Sequence, residues 1–315
     1  MDGHASGAAT RKVNKTPLGA YLKFNWQLYV MVLPGVAMFL IFSYFPMYGI
    51  TMAFQQFKPV LGFFHSPWVG LLHFERIVSD PIFFRVFRNT LVLGAYSLIF
   101  SFPAPIILAL LFNEIRHTLY KRVTQTISYM PFFLSTVIVV GLMRDLLSVN
   151  EGVVNEAVAA LGFTKINFFV RSDWFRPLYI VSGIWQGVGY SSIIYLAAIS
   201  GVNPELYEAA VIDGAGRLKQ AMFITIPCIL PTVTILLIFA VGGLIGADMQ
   251  KVLLMYSEAT YSTADVIGTY VFRTGIEGAS QSYASAVGLF NSVISLFLLA
   301  TTNYMAKRLG ETSLW

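Results

Sequence analysis

Residues 208–227 read Glu-Ala-Ala-Val-Ile-Asp-Gly-Ala-Gly-Arg-Leu-Lys-Gln-Ala-Met-Phe-Ile-Thr-Ile-Pro. The stretch is polar, charged and rich in small residues, yet it lies between two apolar segments of membrane length. Helix-to-helix connections are commonly about 2–8 residues long, so twenty residues of this kind do more than reverse the chain. Asn203 can cap a helix that opens with Pro204 at its first turn, with Glu205 and Glu208 near its positive end. Leu206, Ala209, Ala210 and Ile212 give that helix a narrow apolar face, and Asp213-Gly214-Ala215-Gly216 breaks it. Arg217 to Ile226 reads as a second short helix ending at Pro227. Two short helices meeting at a corner of small residues form a compact knob able to enter a partner's cleft. The same pattern also suits a plain helical linker between two spans.

The 315-residue chain as a whole is 56% hydrophobic and 12% charged, with a mean hydropathy of +0.67. Soluble domains carry about 25% charged residues, so the main solvent of this chain is lipid. About 20 predominantly apolar residues cross a bilayer as a helix. Six such segments are expected, at about 28–54, 89–112, 127–147, 178–200, 229–247 and 283–305, making the fold class all-α transmembrane. Pro34 and Pro46 should bend the first, and Pro103 and Pro105 lie at the centre of the second.

An even number of spans puts both termini on one side. That side would hold Arg11, Lys12, Lys15, Lys23, Arg116, Lys121, Arg122, Arg217, Lys219, Lys307 and Arg308. The other would hold Lys58, Arg76, Arg85, Arg88, Arg144, Lys165, Arg171, Arg176, Lys251 and Arg273. Eleven against ten barely separates them, but the first set sits on shorter segments, which places the termini in the cytoplasm. Outer connections carry many aromatics, among them Phe83, Phe84 and Phe87 beside Arg85 and Arg88. From Pro81 onward this reads either as an amphipathic interfacial helix or as an extension of the second span. Residues 153–161 show a short apolar helix pattern.

Several chemistries have no sequence support. There is no glycine-rich loop followed by Lys-Ser or Lys-Thr, so the chain has no Walker-type phosphate cradle. His4, His65, His73 and His117 are dispersed without metal-ligand spacing, and no metal site or catalytic residue is expected. The lone Cys228 has no intrachain partner. Ionisable residues are sparse inside the spans, with Arg144, Asp145 and Asp248 at span ends. Proton- and ion-coupled carriers keep such groups near the midplane. A path driven from elsewhere is therefore expected. The alternatives are a stand-alone secondary transporter or channel, or a permease of the same kind for a non-sugar solute.

Glu208-Ala209-Ala210, then Asp213-Gly214-Ala215, then Ile224-Thr225-Ile226-Pro227 resembles the signature loop of the membrane subunits of binding-protein-dependent ABC importers. Ala221 departs from that pattern, since an aromatic is common there. The resemblance implies that Glu208, Ala209, Ala210, Asp213, Gly214, Ala215 and Pro227 form a coupling element that docks into an ATP-binding subunit. It extends from Asn89-Thr90-Leu91 to the C-terminus. Tyr207 with Glu208-Ala209-Ala210, the run 282–291 and the terminal Ser313-Leu314-Trp315 are similar to carbohydrate permeases of the maltose and polysaccharide type. The implied organisation is a cytoplasmic tail (1–26), a first span and extracytoplasmic loop (27–88), a permease core (89–305, coupling loop 201–227) and a second cytoplasmic tail (306–315). The implied assembly has a second permease subunit, two ATPases that bind ATP and Mg, and an extracytoplasmic solute-binding protein, in the bacterial cytoplasmic (inner) membrane. This chain itself is expected to bind no cofactor. Sugar sites combine aromatic platforms with amides and hydroxyls. Gly187 and Tyr190 match, by their spacing from Glu208, a glycine and an aromatic that contact sugar in maltose-type permeases. Trp185 and Asn291 are further candidates, although Trp185 also suits simple packing and Asn291 a helix-to-helix hydrogen bond.

Overall fold

A computed structural model describes residues 23–308. The basic residues Arg11, Lys12 and Lys15 and the run Ser313-Leu314-Trp315 lie outside the described residues. The described chain consists of helices and the turns joining them, and its sole strand-like feature is an antiparallel bridge between Gln55 and Trp68. Two compact bodies divide at Thr51 and Met52. In the first, every residue of Trp26–Phe39 is at least partly exposed. The second holds the three buried apolar clusters, the largest around Phe83, Val86, Tyr270, Tyr283 and Val287.

Among the described residues, four helices are long and apolar enough to cross a membrane: Trp26–Phe54, Pro81–Glu114, Arg217–Gly242 and Gln281–Arg308. A fifth is counted if Thr118–Phe133 and Thr136–Leu146, bent by 100° at their junction, act as one broken span. The expected fourth span is the helix Ser172–Ser200, which has 29 residues and is long enough, but is interrupted by Ser182, Gln186, Ser191 and Ser192. It falls outside the apolar set for that reason.

Three prolines shape these helices in the same way, while Pro34, Pro177 and Pro231 sit inside regular α-helix. A proline offers no N–H, and its ring crowds the carbonyl four residues earlier. Widening the preceding turn relieves that crowding. The turns Leu40–Tyr44, Ser97–Ser101 and Ala221–Thr225 all close over five residues and precede Pro46, Pro103 and Pro227. Phe102 N thus donates to Ser97 O at 3.1 Å. Helices therefore continue where a break was expected. Residues 217–226 are the first part of Arg217–Gly242 rather than a separate helix ending at Pro227.

Two further expectations are settled by capping. Asp80 accepts from Ile82 N at 2.9 Å and Pro81 occupies the first turn, so the helix that starts there runs on through Glu114. The segment after Pro81 is thus an extension of the second span, not a separate interfacial helix. The third expected span breaks because Pro131 tightens Met130–Phe133 and Ser135 starts a new helix by accepting from Ile138 N. Gln186 Nε2 donates to the freed Leu134 carbonyl at 3.0 Å, tying the break to the central helix, Ser172–Ser200. The short helix expected at 153–161 is Val153–Ala160. Its fully buried Asn155 donates to the carbonyls of Leu147, Ser148 and Ile166.

Close helix approach depends on two glycines. A Cβ on Gly189 would stand 2.0 Å from Ser128 O, and one on Gly94 would stand 2.1 Å from Leu244 O. By contrast, a Cβ on Gly187 meets nothing within 4 Å. Gly189→Ala should destabilise the fold by about 1–3 kcal/mol, since neither backbone can yield cheaply. Gly187→Ala should not lower thermal stability in detergent, which makes it the matched control.

Lys251 is buried, and its ammonium donates to Tyr179 O at 3.0 Å and lies 4.8 Å from the Tyr179 ring centroid. Desolvation pushes its pKa down to about 8, against the smaller opposing pull of Asp248. A folded value below the unfolded one means that the charged lysine destabilises the fold at neutral pH. The unfolded chain binds more protons between about 8 and 10.5, so the contribution of Lys251 improves as pH rises through that window. Lys251→Met should raise thermal stability at pH 7, by as much as roughly 3 kcal/mol, and should remove this part of the pH dependence.

Candidate coupling and substrate sites

The signature loop is built from the helix Pro204–Ile212 and the start of Arg217–Gly242. Asn203 caps the first helix by accepting from Glu205 N at 3.1 Å. At the other end Ala215 N donates to Ala210 O at 2.8 Å and Gly214 N donates to Val211 O at 3.0 Å. These two bonds, with Gly214 at φ +74°, form a Schellman closure. The small residues of the signature therefore have a local structural role. Gly214 supplies the left-handed turn, while Ala210 and Ala215 exchange the closing bond.

Side chains brace the corner. The Tyr207 and Thr225 hydroxyls lie 2.9 Å apart, linking the first helix to the widened turn before Pro227. Gln220 Nε2 donates to Ala215 O at 2.8 Å. Arg217 pairs with Glu114 at 3.0 Å, at the end of the span Pro81–Glu114. Both side chains are solvent-accessible, so this pair contributes at most about 1 kcal/mol, and its value is positional.

The braced knob keeps Glu208, Ala209, Asp213 and Gly214 exposed. Ala210 and Ala215 are half-buried, and Pro227 lies exposed within the continuing helix. Ile212 is 85% exposed, and Leu218 and Phe223 are each 75% exposed. Apart from half-buried Ala210, the narrow apolar face read from the sequence is thus left uncovered by the described residues. The exposure of Leu218 and Phe223 went unread in the sequence because both sit in an otherwise ordinary helical pattern.

The substrate candidates do not share one site. Tyr190 lines a cavity of about 390 Å3 with Ser97, Ser101, Ser191, Tyr195 and Leu236. Phe132 stacks on its ring at a centroid distance of 3.9 Å and 5° between planes. The sequence reading missed Phe132, whose position depends on the break at Pro131. Gly187, one turn earlier on the same helix, leaves open space beside it. Trp185 instead lines a separate apolar cavity of about 350 Å3 with Leu142, Leu178 and Val181. Asn291 lines neither cavity. It sits on Gln281–Arg308 with a buried Oδ1 that has no partner among the described residues. No group of three or more His, Cys, Asp or Glu among the described residues has metal-binding geometry.

This geometry joins apolar spans, a polar central helix and an exposed, braced loop. The chain belongs to the family of binding-protein-dependent transport system inner membrane components, whose model matches residues 101–311. It is thus a membrane-embedded transport subunit rather than an enzyme, as the resemblance of residues 208–227 implied. It is 46% identical, over 91% of its length and 90% of the relative's, to the polygalacturonan/rhamnogalacturonan transport system permease protein YteP of Bacillus subtilis (strain 168). It is similar to a chain of a bacterial ABC transporter involved in the import of the acidic polysaccharide alginate, with a TM-score of 0.86 and 43% identity, covering 92% of this chain and 98% of that one. It is also similar to a chain of a bacterial alginate ABC transporter in complex with an alginate pentasaccharide-bound periplasmic protein. That likeness has a TM-score of 0.87 and 42% identity, covering 94% and 99% of the two chains.

Gly214→Ala would force a side chain into the left-handed region, at a cost of about 1–2 kcal/mol. Amide hydrogen exchange across residues 204–217 should accelerate in this variant while the spans keep their protection.

Proposed function

We propose that this chain forms half of the translocation path of an ATP-driven importer for oligosaccharides that carry carboxylate groups. The observation that carries the reading is the near full-length similarity, above 40%, to permeases whose names specify polygalacturonan/rhamnogalacturonan and alginate. Both are polymers of acidic sugars. The stacked Tyr190–Phe132 pair beside Ser97, Ser101 and Ser191 supports it, because an aromatic face with nearby hydroxyls suits a sugar ring. Gly187 gives the ring space. Trp185 lines the other cavity and Asn291 neither, so the sugar contact is assigned to Tyr190 and Gly187 alone.

The assembly consists of this chain, a second and different permease subunit, two ATPases carrying ATP and Mg, and an extracytoplasmic solute-binding protein. Six membrane crossings, with the central helix and the bent pair counted as spans, leave both termini cytoplasmic. Residues 1–26 and 306–315 are then cytoplasmic tails, 27–88 the first span and outer loop, and 89–305 the permease core. The loop 201–227 docks into an ATPase through Glu208, Ala209, Ala210, Asp213, Gly214 and Ala215, with Pro227 marking its end. The exposed Ile212 and Leu218 supply its apolar contact. ATP-driven closure of the ATPases moves the braced knob, and the Arg217–Glu114 and Tyr207–Thr225 links carry the movement to two spans.

Two measurements test this reading. Glu208→Lys should abolish uptake by the reconstituted complex while ATP hydrolysis continues, and wild-type uptake in that variant would refute the docking role. Uptake of trigalacturonate should exceed that of maltotriose when both are supplied with the cognate binding protein. The reverse preference would remove the acidic substrate class.

A further inference from the structure

A second polar cavity lies far from the coupling loop. It has a volume of about 380 Å3 and is lined by Arg85, Arg88, Arg176, Asn89 and Ser262, among others. Arg85 and Arg88 are three residues apart on one helix, so they share a face. Arg176 comes from the central helix and donates to Asn89 Oδ1 at 3.0 Å. Asn89 is buried, and its Nδ2 donates to the carbonyls of Ser262 at 3.0 Å and Asp265 at 3.2 Å. Those two bonds fix the amide so that its oxygen faces the guanidinium. Arg176 Nε is buried with no partner. Among the described residues the ion pairs are Lys165–Glu156, Arg171–Asp173, Arg217–Glu114 and Arg273–Asp265, so no carboxylate neutralises any arginine of this cavity.

Three guanidiniums around one small space repel one another, and one of them has lost water from its Nε. A bound anion relieves both penalties. The planar fork of arginine matches a carboxylate with paired hydrogen bonds. Position adds to the chemistry. Arg176 stands 24 residues before the end of the central helix, roughly 36 Å along it from the coupling loop, and 14 residues, roughly 21 Å, before Tyr190. A solute approaching from the face opposite the coupling loop therefore meets the arginines before the aromatic pair.

We propose that this arginine cavity is an entry subsite that takes a carboxylate of the incoming acidic oligosaccharide. It rests on the acidic-substrate reading for the identity of the anion. The test is calorimetric titration of the whole complex in phosphatidylcholine nanodiscs with trigalacturonate and, separately, with neutral maltotriose. Arg85 and Arg88 are exposed, so the double variant Arg85→Gln/Arg88→Gln should fold. Its affinity for trigalacturonate should fall roughly tenfold or more, with no change for maltotriose, and added salt should weaken the wild type in the same direction. Arg176→Lys, which keeps the charge but loses the fork held by Asn89, should show an intermediate loss. Unchanged trigalacturonate affinity in the double variant, equal loss for maltotriose, or no trigalacturonate binding by wild type would each overturn the assignment. Failure of the substrate class appears separately, as a preference for neutral sugar in the uptake assay.

Discussion

A peptide group in hydrocarbon has to find its hydrogen bond within the protein, and this chain meets that demand while carrying prolines inside its apolar helices. The answer recurs along the chain. Ahead of Pro46, Pro103 and Pro227 the helix widens by one residue instead of stopping. At Pro131 it does stop, and Gln186 reaches across from the central helix to satisfy the Leu134 carbonyl. At these four prolines the altered backbone stays bonded, and at Pro131 the chain also bends by 100°. The break at Pro131 places Phe132 against Tyr190, and the widened turn before Pro227 presents Thr225 to Tyr207. Both candidate sites follow from repairing a proline.

Glycines complement this arrangement. Without hydrophobic attraction between helices in lipid, association relies on close packing and polar contacts. Gly189 lets the central helix approach the backbone of Ser128, on the segment that breaks a few residues later. The glycine brings the elements together, and Gln186, one turn away on the same helix, makes the hydrogen bond that holds them. Gly187, between them, faces open space and contributes volume instead. At the ends of the spans the packing is more polar. Tyr270 and Tyr283 donate to Asp80 at 2.6 and 3.0 Å, at the start of the second span. Burial pushes the Asp80 carboxyl up, but these hydroxyls and the backbone N–H of Ile82 outweigh it and hold it below its ordinary range. Asp265, fully buried, is matched by Arg273 at 2.6 Å. The Asp80 contacts tie the start of the second span to helices 190 and 203 positions away, while the Asp265–Arg273 pair closes locally.

Much of the signature loop's structure was legible in the sequence because its determinants are local. Asn203-Pro204 announces a helix start, and Gly214 announces a left-handed stop, within a dozen residues of each other. The continuation through Pro227 was not legible. Proline inside a polar-to-apolar transition reads as a terminator, and only the widened turn at Ala221–Thr225 shows that the helix survives it. Likewise Trp185 and Tyr190 both read as sugar platforms. Five residues on a helix turn them to different faces, and the neighbouring helices give each its own cavity.

The sequence by itself determined a lipid-embedded, all-helical chain, a charged small-residue loop with its caps, and membership in a transport family. These depend on composition and short spacings, which survive without tertiary context. The tertiary structure alone decided which aromatic faces which cavity, where Gln186 spends its amide, and that Arg85, Arg88 and Arg176 share one space with no acid among them. Gln186 and Leu134 are 52 positions apart, and Arg176 stands 88 and 91 positions from Arg88 and Arg85. Their meeting depends on helix breaks and close approaches whose angles no local pattern specifies.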